Sequence, residues 1–207
     1  MIPSHSHIDW FSFTIPLHAG GIDLTQPGSR EHVFAILNHG DFDTLNHMTG
    51  DDRWEIIKGR VGYTAGIAER ESGLRIFGAE KQAHLLIECT GKTCAYLRDC
   101  GLLDDLVRSQ HHRASRIDLA CDLQTDDRPA QFILNGDMRG VRSKSHIVSD
   151  DGETVYIGSR KSERMLRVYR YNYPHERAHL LRLEIEFKGD KAKAISKMIS
   201  EDSLHVT

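Results

Sequence analysis

Two stretches of the chain place carboxylates at every second position. In Arg116-Ile117-Asp118-Leu119-Ala120-Cys121-Asp122 the apolar Ile117, Leu119 and Cys121 alternate with a polar set that includes Arg116, Asp118 and Asp122. In Arg182-Leu183-Glu184-Ile185-Glu186-Phe187-Lys188 the alternation is the same, with Glu184 and Glu186 flanked by Arg182 and Lys188. Successive side chains of a β-strand point to opposite faces, so each stretch presents an apolar face to a core and an acidic face elsewhere. Carboxylates crowded on one surface repel one another unless they are protonated, paired with Arg or Lys, or bridged by a hard divalent cation such as Mg2+ or Mn2+. The same alternation also describes a half-exposed strand whose Glu and Arg are solvated.

A second kind of chemistry lies between them, in the run from Thr154 to Tyr171. Its Gly158-Ser159-Arg160-Lys161-Ser162 turn brings hydroxyls, backbone N–H groups and two cations together, a combination suited to phosphate and equally consistent with a polar hairpin loop. In the strand that follows, Arg167, Tyr169 and Tyr171 share one face while Leu166 and Val168 take the other. A phenol with an ordinary pKa near 10 is a poor nucleophile at neutral pH. Attack on phosphorus needs a base or cation to favour phenolate and positive charge to neutralise the phosphate. A strand tyrosine also serves as packing or as a stacking platform.

The elements that must position these residues follow from periodicity and punctuation. Ile8 to Ile15 reads as a first strand, and Ser29 is a natural N-cap for a helix from Arg30 to Leu37. Residues 39 to 53 read as an exposed acidic connection, followed by strands over Arg60–Ala68, Gly73–Phe77 and His84–Cys89. Helices are expected from Thr90 or Gly91 to Asp99 and from Leu102 to Ser109. Arg116–Leu123 is then a strand, and Pro129–Leu134 a helix capped by Asp127. Strands over Ser143–Ser149, Thr154–Gly158, Met165–Tyr171 and Leu181–Lys188 follow, with Asp150-Asp151-Gly152 as a hairpin corner, and a last helix runs from Asp190 to Ser200. Strands, helix, strands, helix predicts an α+β fold in which helices gather on one face of an antiparallel sheet. No internal repeat is obvious, although the two halves share a rhythm.

Composition narrows the function classes. The 207 residues suffice for one domain, residues 1–207, and are 39% hydrophobic and 28% charged, ordinary values for a folded globular chain. No apolar run is long enough to cross a bilayer and the N-terminus has no signal-peptide pattern, so a cytoplasmic location away from membranes is expected. Cys89, Cys94, Cys100 and Cys121 form no CxxC pair and read as reduced thiols. A net charge of −3 argues against indiscriminate coating of nucleic acid, so contact with DNA must be local.

Together, Arg116–Asp122, Tyr156–Tyr169 and Arg182–Gly189, in that order and preceded by Ile8–Ile15, resemble the replication-initiation factor family of rolling-circle plasmids and phages. The turn and strand Tyr-Ile-Gly-Ser-Arg-Lys-Ser and Leu-Arg-Val-Tyr carry the resemblance furthest. It implies a Rep/relaxase-like sheet and a metal-dependent nickase, in which a tyrosine attacks an origin phosphodiester, becomes joined to the 5′ phosphate and frees a 3′ hydroxyl. Carried over by position, it makes Tyr169 the first choice of nucleophile, with Tyr171 and Tyr173 as alternatives. Asp118, Glu184 and Glu186 become ligands of Mg2+ or Mn2+, backed by Asp122 and Asp9, and Ser159, Arg160, Lys161 and Arg167 hold phosphate. Origin DNA, single-stranded or hairpin, is the implied partner, together with a host helicase and a second copy of the chain. Where relatives often place an acid and a lysine after the tyrosine, this chain has Arg170 and Tyr171. It also stops soon after Lys188-Gly189-Asp190, which reads as a C-terminally shortened form. A non-catalytic DNA-binding remnant is the alternative reading.

Overall fold

Branched and aromatic residues at alternate positions make strands here, and their pairing lines the apolar ones up in rows. The computed structural model describes residues 6–38, 45, 53–109, 112–134, 141–150, 152–171 and 180–201. In chain order the elements are β1 (His7–Pro16), α1 (Ser29–Asn38), β2 (Trp54–Lys58), β3 (Ala65–Glu69), β4 (Arg75–Gly78), β5 (His84–Cys89), α2 (Gly91–Asp99) and α3 (Leu103–Arg108). They continue with β6 (Arg113–Gln124), α4 (Pro129–Leu134), β7 (Lys144–Ser149), β8 (Gly152–Ile157), β9 (Arg164–Tyr171), β10 (Leu180–Lys188) and α5 (Gly189–Ser200). The ten strands form one antiparallel sheet in the order β2-β3-β4-β5-β1-β6-β10-β9-β8-β7. This is the α+β arrangement the element order predicts, and the Tyr173 expectation lies outside the described residues.

Registers show why one face is dry. Ile67, Ile76, Ile87 and Phe13 are successive partners across β3, β4, β5 and β1, and Phe11, Ile117 and Phe187 are partners across β1, β6 and β10. The buried residues of α1, α2, α3 and α5, among them Val33, Leu37, Cys94, Leu97, Leu106 and Ala192, pack on these rows. A smaller cluster of Leu123, Val155, Val168, Leu181 and Ile133 seats α4 beside the second half of the sheet. Burying a Leu, Ile or Phe side chain contributes roughly 1.5–3 kcal/mol, so these rows fix which way the strands that carry them face. They therefore force the alternate residues, the charged ones included, onto the opposite side. All four cysteines are unbridged, and Cys89 and Cys94 lie buried in the main core.

The structure differs from expectation at two ends. A strand at Trp54–Lys58 precedes the expected one, and Arg60 to Thr64 is the turn into β3, closed by the Tyr63 N–H donating to the Arg60 carbonyl at 2.8 Å. At α4, Ala130 N–H donates at 3.2 Å to Glu153 of β8, so a carboxylate from another element serves that helix start. At α2 the reading of Thr90 is met: it forms a reciprocal capping box with Thr93. Among the described residues no helix is long and apolar enough to cross a membrane.

Candidate active site

The polar face is assembled by register. Asp118 on β6 lies opposite Glu186 on β10 and Trp10 on β1, while Asp122 lies opposite Arg182. On the other side of β10, Glu184 faces Arg167 and Arg182 faces Tyr169, both on β9. Asp118, Glu184, Glu186, Arg167 and Tyr169 thus meet on the side of the sheet opposite the helices. Asp118 is fully buried, and Glu184 and Glu186 are 3% and 5% exposed.

Unpaired, these charges would be prohibitive so far from water, and the structure pairs them. Arg116 grips Asp118 with two hydrogen bonds, Nε to Oδ1 at 2.9 Å and Nη2 to Oδ2 at 2.5 Å, and also reaches Glu186 Oε2 at 2.9 Å. Arg167 Nη2 donates to Asp118 Oδ2 at 2.9 Å and to Glu184 Oε1. Lys188 Nζ lies 2.7 Å from Glu186 Oε1, close enough for an ion pair although without hydrogen-bond geometry at that oxygen. Arg182 forks onto Asp122 at 2.6 and 2.8 Å and reaches Asp9 Oδ1 at 3.2 Å. Asp9 is there because the β1–β6 register shifts between Ile8 and Trp10.

Tyr169 joins this network through its hydroxyl, which donates to Glu184 Oε2 at 2.9 Å. Burial, with Asp118 beside it and only partly offset by Arg167, pushes the Glu184 carboxyl up to about 7. A carboxylate of that strength is well matched to accepting a proton near neutrality. Burial works against the Asp9 charge, yet the His7 hydrogen bond and the Arg182 guanidinium hold its carboxyl below the ordinary value. Arg182 is raised above the usual arginine range, chiefly by its Asp122 hydrogen bonds, with Asp9 and Tyr169 adding to the effect. Phenolate at Tyr169 would thus find a fixed positive charge on the neighbouring strand.

The phosphate-binding expectation falls on an exposed turn between β8 and β9. Gly158 adopts φ 99°, Ser159 Oγ accepts from the Lys161 N–H at 3.2 Å, and Lys188 Nζ donates to the Arg160 carbonyl at 2.8 Å. Lys188 therefore links this turn to the acidic row. The Arg160 guanidinium lies over the Tyr156 ring, 5.1 Å from its centre. Tyr171 ends β9 opposite Gly152. The sequence reading passed over Arg116 and Arg182 as site residues, although their spacing from Asp118 and Glu184 already placed them on the acidic face.

The hard oxygen donors are the right kind for Mg2+ or Mn2+, but their arrangement does not fit a bound cation. The Asp118, Glu184 and Glu186 oxygens are occupied by Arg116, Arg167, Lys188 and Tyr169. Among the described residues no group of three or more His, Cys, Asp or Glu side chains is placed to hold a metal.

No family model matches the chain, and no curated protein matches it. Among solved structures, the chain is similar to the rolling circle replication initiator protein from Geobacillus stearothermophilus, with a TM-score of 0.66 and 21% identity over 97% of this chain and 80% of that one. The ten-stranded sheet and its helices therefore have the fold of a rolling-circle replication initiator.

Proposed function

We propose that the chain is a rolling-circle replication initiator, a single functional unit that cuts one strand of origin DNA with Tyr169 and rejoins it. The observation that carries this reading is the 2.9 Å hydrogen bond from the Tyr169 hydroxyl to Glu184, with Arg167 bridging Glu184 to Asp118. In the reaction Glu184 takes the phenol proton and the Tyr169 oxygen bonds to phosphorus. The bond to the 3′ oxygen breaks, and that oxygen leaves as a hydroxyl after regaining a proton. Arg167, with Arg160, Lys161 and Ser159 at the turn, offsets charge on the phosphate oxygens, and Arg182 steadies the phenolate. The likeness in fold to a replication initiator supports origin DNA as the partner, with a host helicase and a second copy of the chain as further partners.

A Mg2+ or Mn2+ requirement belongs to the same proposal and makes a demand of its own: a guanidinium must first release a carboxylate. That closed arrangement favours the second reading, a DNA-binding module with the same face and no strand cleavage. Replacing Tyr169, Tyr171 and Tyr173 one at a time by Phe separates the two. On 3′-labelled single-stranded oligonucleotides with Mg2+ or Mn2+, Tyr169→Phe is expected to abolish an SDS-resistant protein–DNA adduct, while the other two retain it. An adduct that survives in Tyr169→Phe and disappears in Tyr171→Phe or Tyr173→Phe moves the nucleophile. If the unsubstituted chain binds the strands and forms no adduct, the binding-module reading stands instead.

A further inference from the structure

Two aromatic side chains flank the charged centre on the same open face, and the reaction just described uses neither. Trp10 projects from β1 opposite Asp118, and Tyr156 projects from β8 opposite Arg167. Both are half-buried. Each carries a guanidinium on its ring: Arg116 lies 4.5 Å from the Trp10 ring centre and Arg160 lies 5.1 Å from that of Tyr156. The indole N–H of Trp10 donates to Ser12 Oγ at 2.6 Å. Its hydrogen-bonding capacity is thus satisfied within β1, and what remains to offer a ligand is the flat ring with its stacked arginine.

Resting on the DNA reading above, we infer that Trp10 and Tyr156 are stacking platforms for the bases of an unpaired strand that crosses the sheet from β1 to β8, over the Tyr169 centre. Four inter-strand steps separate β1 from β8 in the sheet order β1-β6-β10-β9-β8. At roughly 4.8 Å per step this is about 19 Å, several times the roughly 3.4 Å rise between stacked bases in a duplex. The platforms therefore take bases several nucleotides apart, with the intervening phosphates near Tyr169 and Arg167. Duplex DNA fits this surface poorly, because its bases are paired and stacked on one another and cannot lie flat on a protein ring. Aromatic rings and arginine planes that hold splayed bases are a recurrent means of binding single strands. Arg116 keeps its N–H edge on Asp118 and Glu186 and backs the Trp10 ring, while Arg160 beside Tyr156 can turn its N–H edge toward phosphate. The surface also fits a chain of net charge −3, since stacking supplies affinity where a broad basic field is missing.

The test is equilibrium binding of single-stranded oligonucleotides to the full chain in EDTA, read by fluorescence anisotropy. Trp10→Ala and Tyr156→Ala are each expected to weaken binding about tenfold, whereas Trp10→Phe and Tyr156→Phe, which keep a ring, stay within about threefold of the parent. A strand with abasic sites at the contacted nucleotides is expected to lose a similar factor against the parent and little more against the double alanine variant. If both alanine variants bind the base-bearing strand as tightly as the parent, or if the abasic strand binds the parent undiminished, the stacking proposal is overturned and the nickase reading is untouched. If the parent binds no single strand at all, the DNA reading fails and takes this proposal with it.

Discussion

The two halves of the sheet are built in the same order and put to different use. β1, α1, β2–β5 and α2 are matched by β6, α4, β7–β10 and α5, and the strand order is mirrored about the β1–β6 pair. Each half closes on a similar string before its helix, Ile87-Glu88-Cys89-Thr90-Gly91 in the first and Ile185-Glu186-Phe187-Lys188-Gly189 in the second. Glu88 and Glu186 are correspondingly both buried and both paired with a cation, Arg60 and Arg116 respectively. Two residues earlier the halves part: the first has Leu86 opposite Phe77, and the second has Glu184 opposite Arg167. The Phe77 ring lies against Gly66, where a Cβ would come within 2.6 Å of it, and Arg60 covers the ring. One half thus seals its polar face with an aromatic lid, while the other leaves carboxylates, guanidiniums and a tyrosine hydroxyl there. A buried glutamate at the strand end is common to both halves, and what sets the second apart is the further acid, guanidinium and phenol placed around it.

Removing the central acid tests that difference most severely. Asp118→Asn leaves Arg116 and Arg167 without the carboxylate they share, in a place with little access to water. The expected loss is about 3–5 kcal/mol, the usual result of removing one member of a buried ionic network. Glu88→Gln in the first half is expected to cost about 1–2 kcal/mol, because Arg60 is 48% exposed and can turn to solvent. Urea unfolding of the two variants measures both. Equal losses would mean that the second half is no more than a structural ion-pair lattice like the first.

A smaller effect follows from Glu184. Its carboxyl is raised to about 7 in the folded chain, above the ordinary 4.5 expected of an unfolded glutamate. Between those values the folded chain holds a proton that the unfolded chain has released, so stability falls as pH climbs from about 4.5 to 7. The fall is of order 2 kcal/mol. Asp9 and Glu153, which are both held below their ordinary values, act in the opposite sense and only in more acid solution. Glu184→Gln, which keeps an acceptor for Tyr169, is expected to flatten the profile between pH 5 and 7.5. No corresponding slope is expected from the first half, where Leu86 stands at the matching place.

The alternation that makes this comparison was legible in the sequence. Ile117 against Asp118 and Ile185 against Glu186 can point only to opposite faces once one set is buried, and the same rule placed Arg167 with Tyr169. β2 was harder to see, because Glu55 and Lys58 on an edge strand with a single neighbour resemble the polar connection before it. The pairing of acids with arginines was out of reach for a different reason. Period two says that Arg116, Asp118 and Glu186 share a side, whereas which guanidinium reaches which oxygen depends on the β6–β10 and β9–β10 registers, set by apolar rows on the other face. Trp10 reads as one more core aromatic until the register shift beside Asp9 places it among the charges. The match between the halves was audible only as a rhythm, since a mirrored strand order leaves no trace along the chain.

The smallest expected effect concerns metal, and it tests whether arginine or a divalent cation neutralises the second half. Without DNA, millimolar Mg2+ or Mn2+ is expected to shift the Tm of the unsubstituted chain by less than about 1 °C, as any binder that must first displace a guanidinium gains little. Arg167→Met keeps the aliphatic stem and frees oxygens of Asp118 and Glu184. A cation held there at ten times its Kd would add about 1.4 kcal/mol and raise Tm by roughly 3–5 °C. A shift in the Arg167→Met protein alone identifies the guanidinium as the occupant of the cation's place. A shift already present in the unsubstituted chain means that the ion pairs open unaided, and the division between a sealed half and a closed but convertible one has to be redrawn. Without a shift in either protein the carboxylates belong to arginine outright, and the strand-cutting reading must then rest on Tyr169, Glu184 and the guanidiniums.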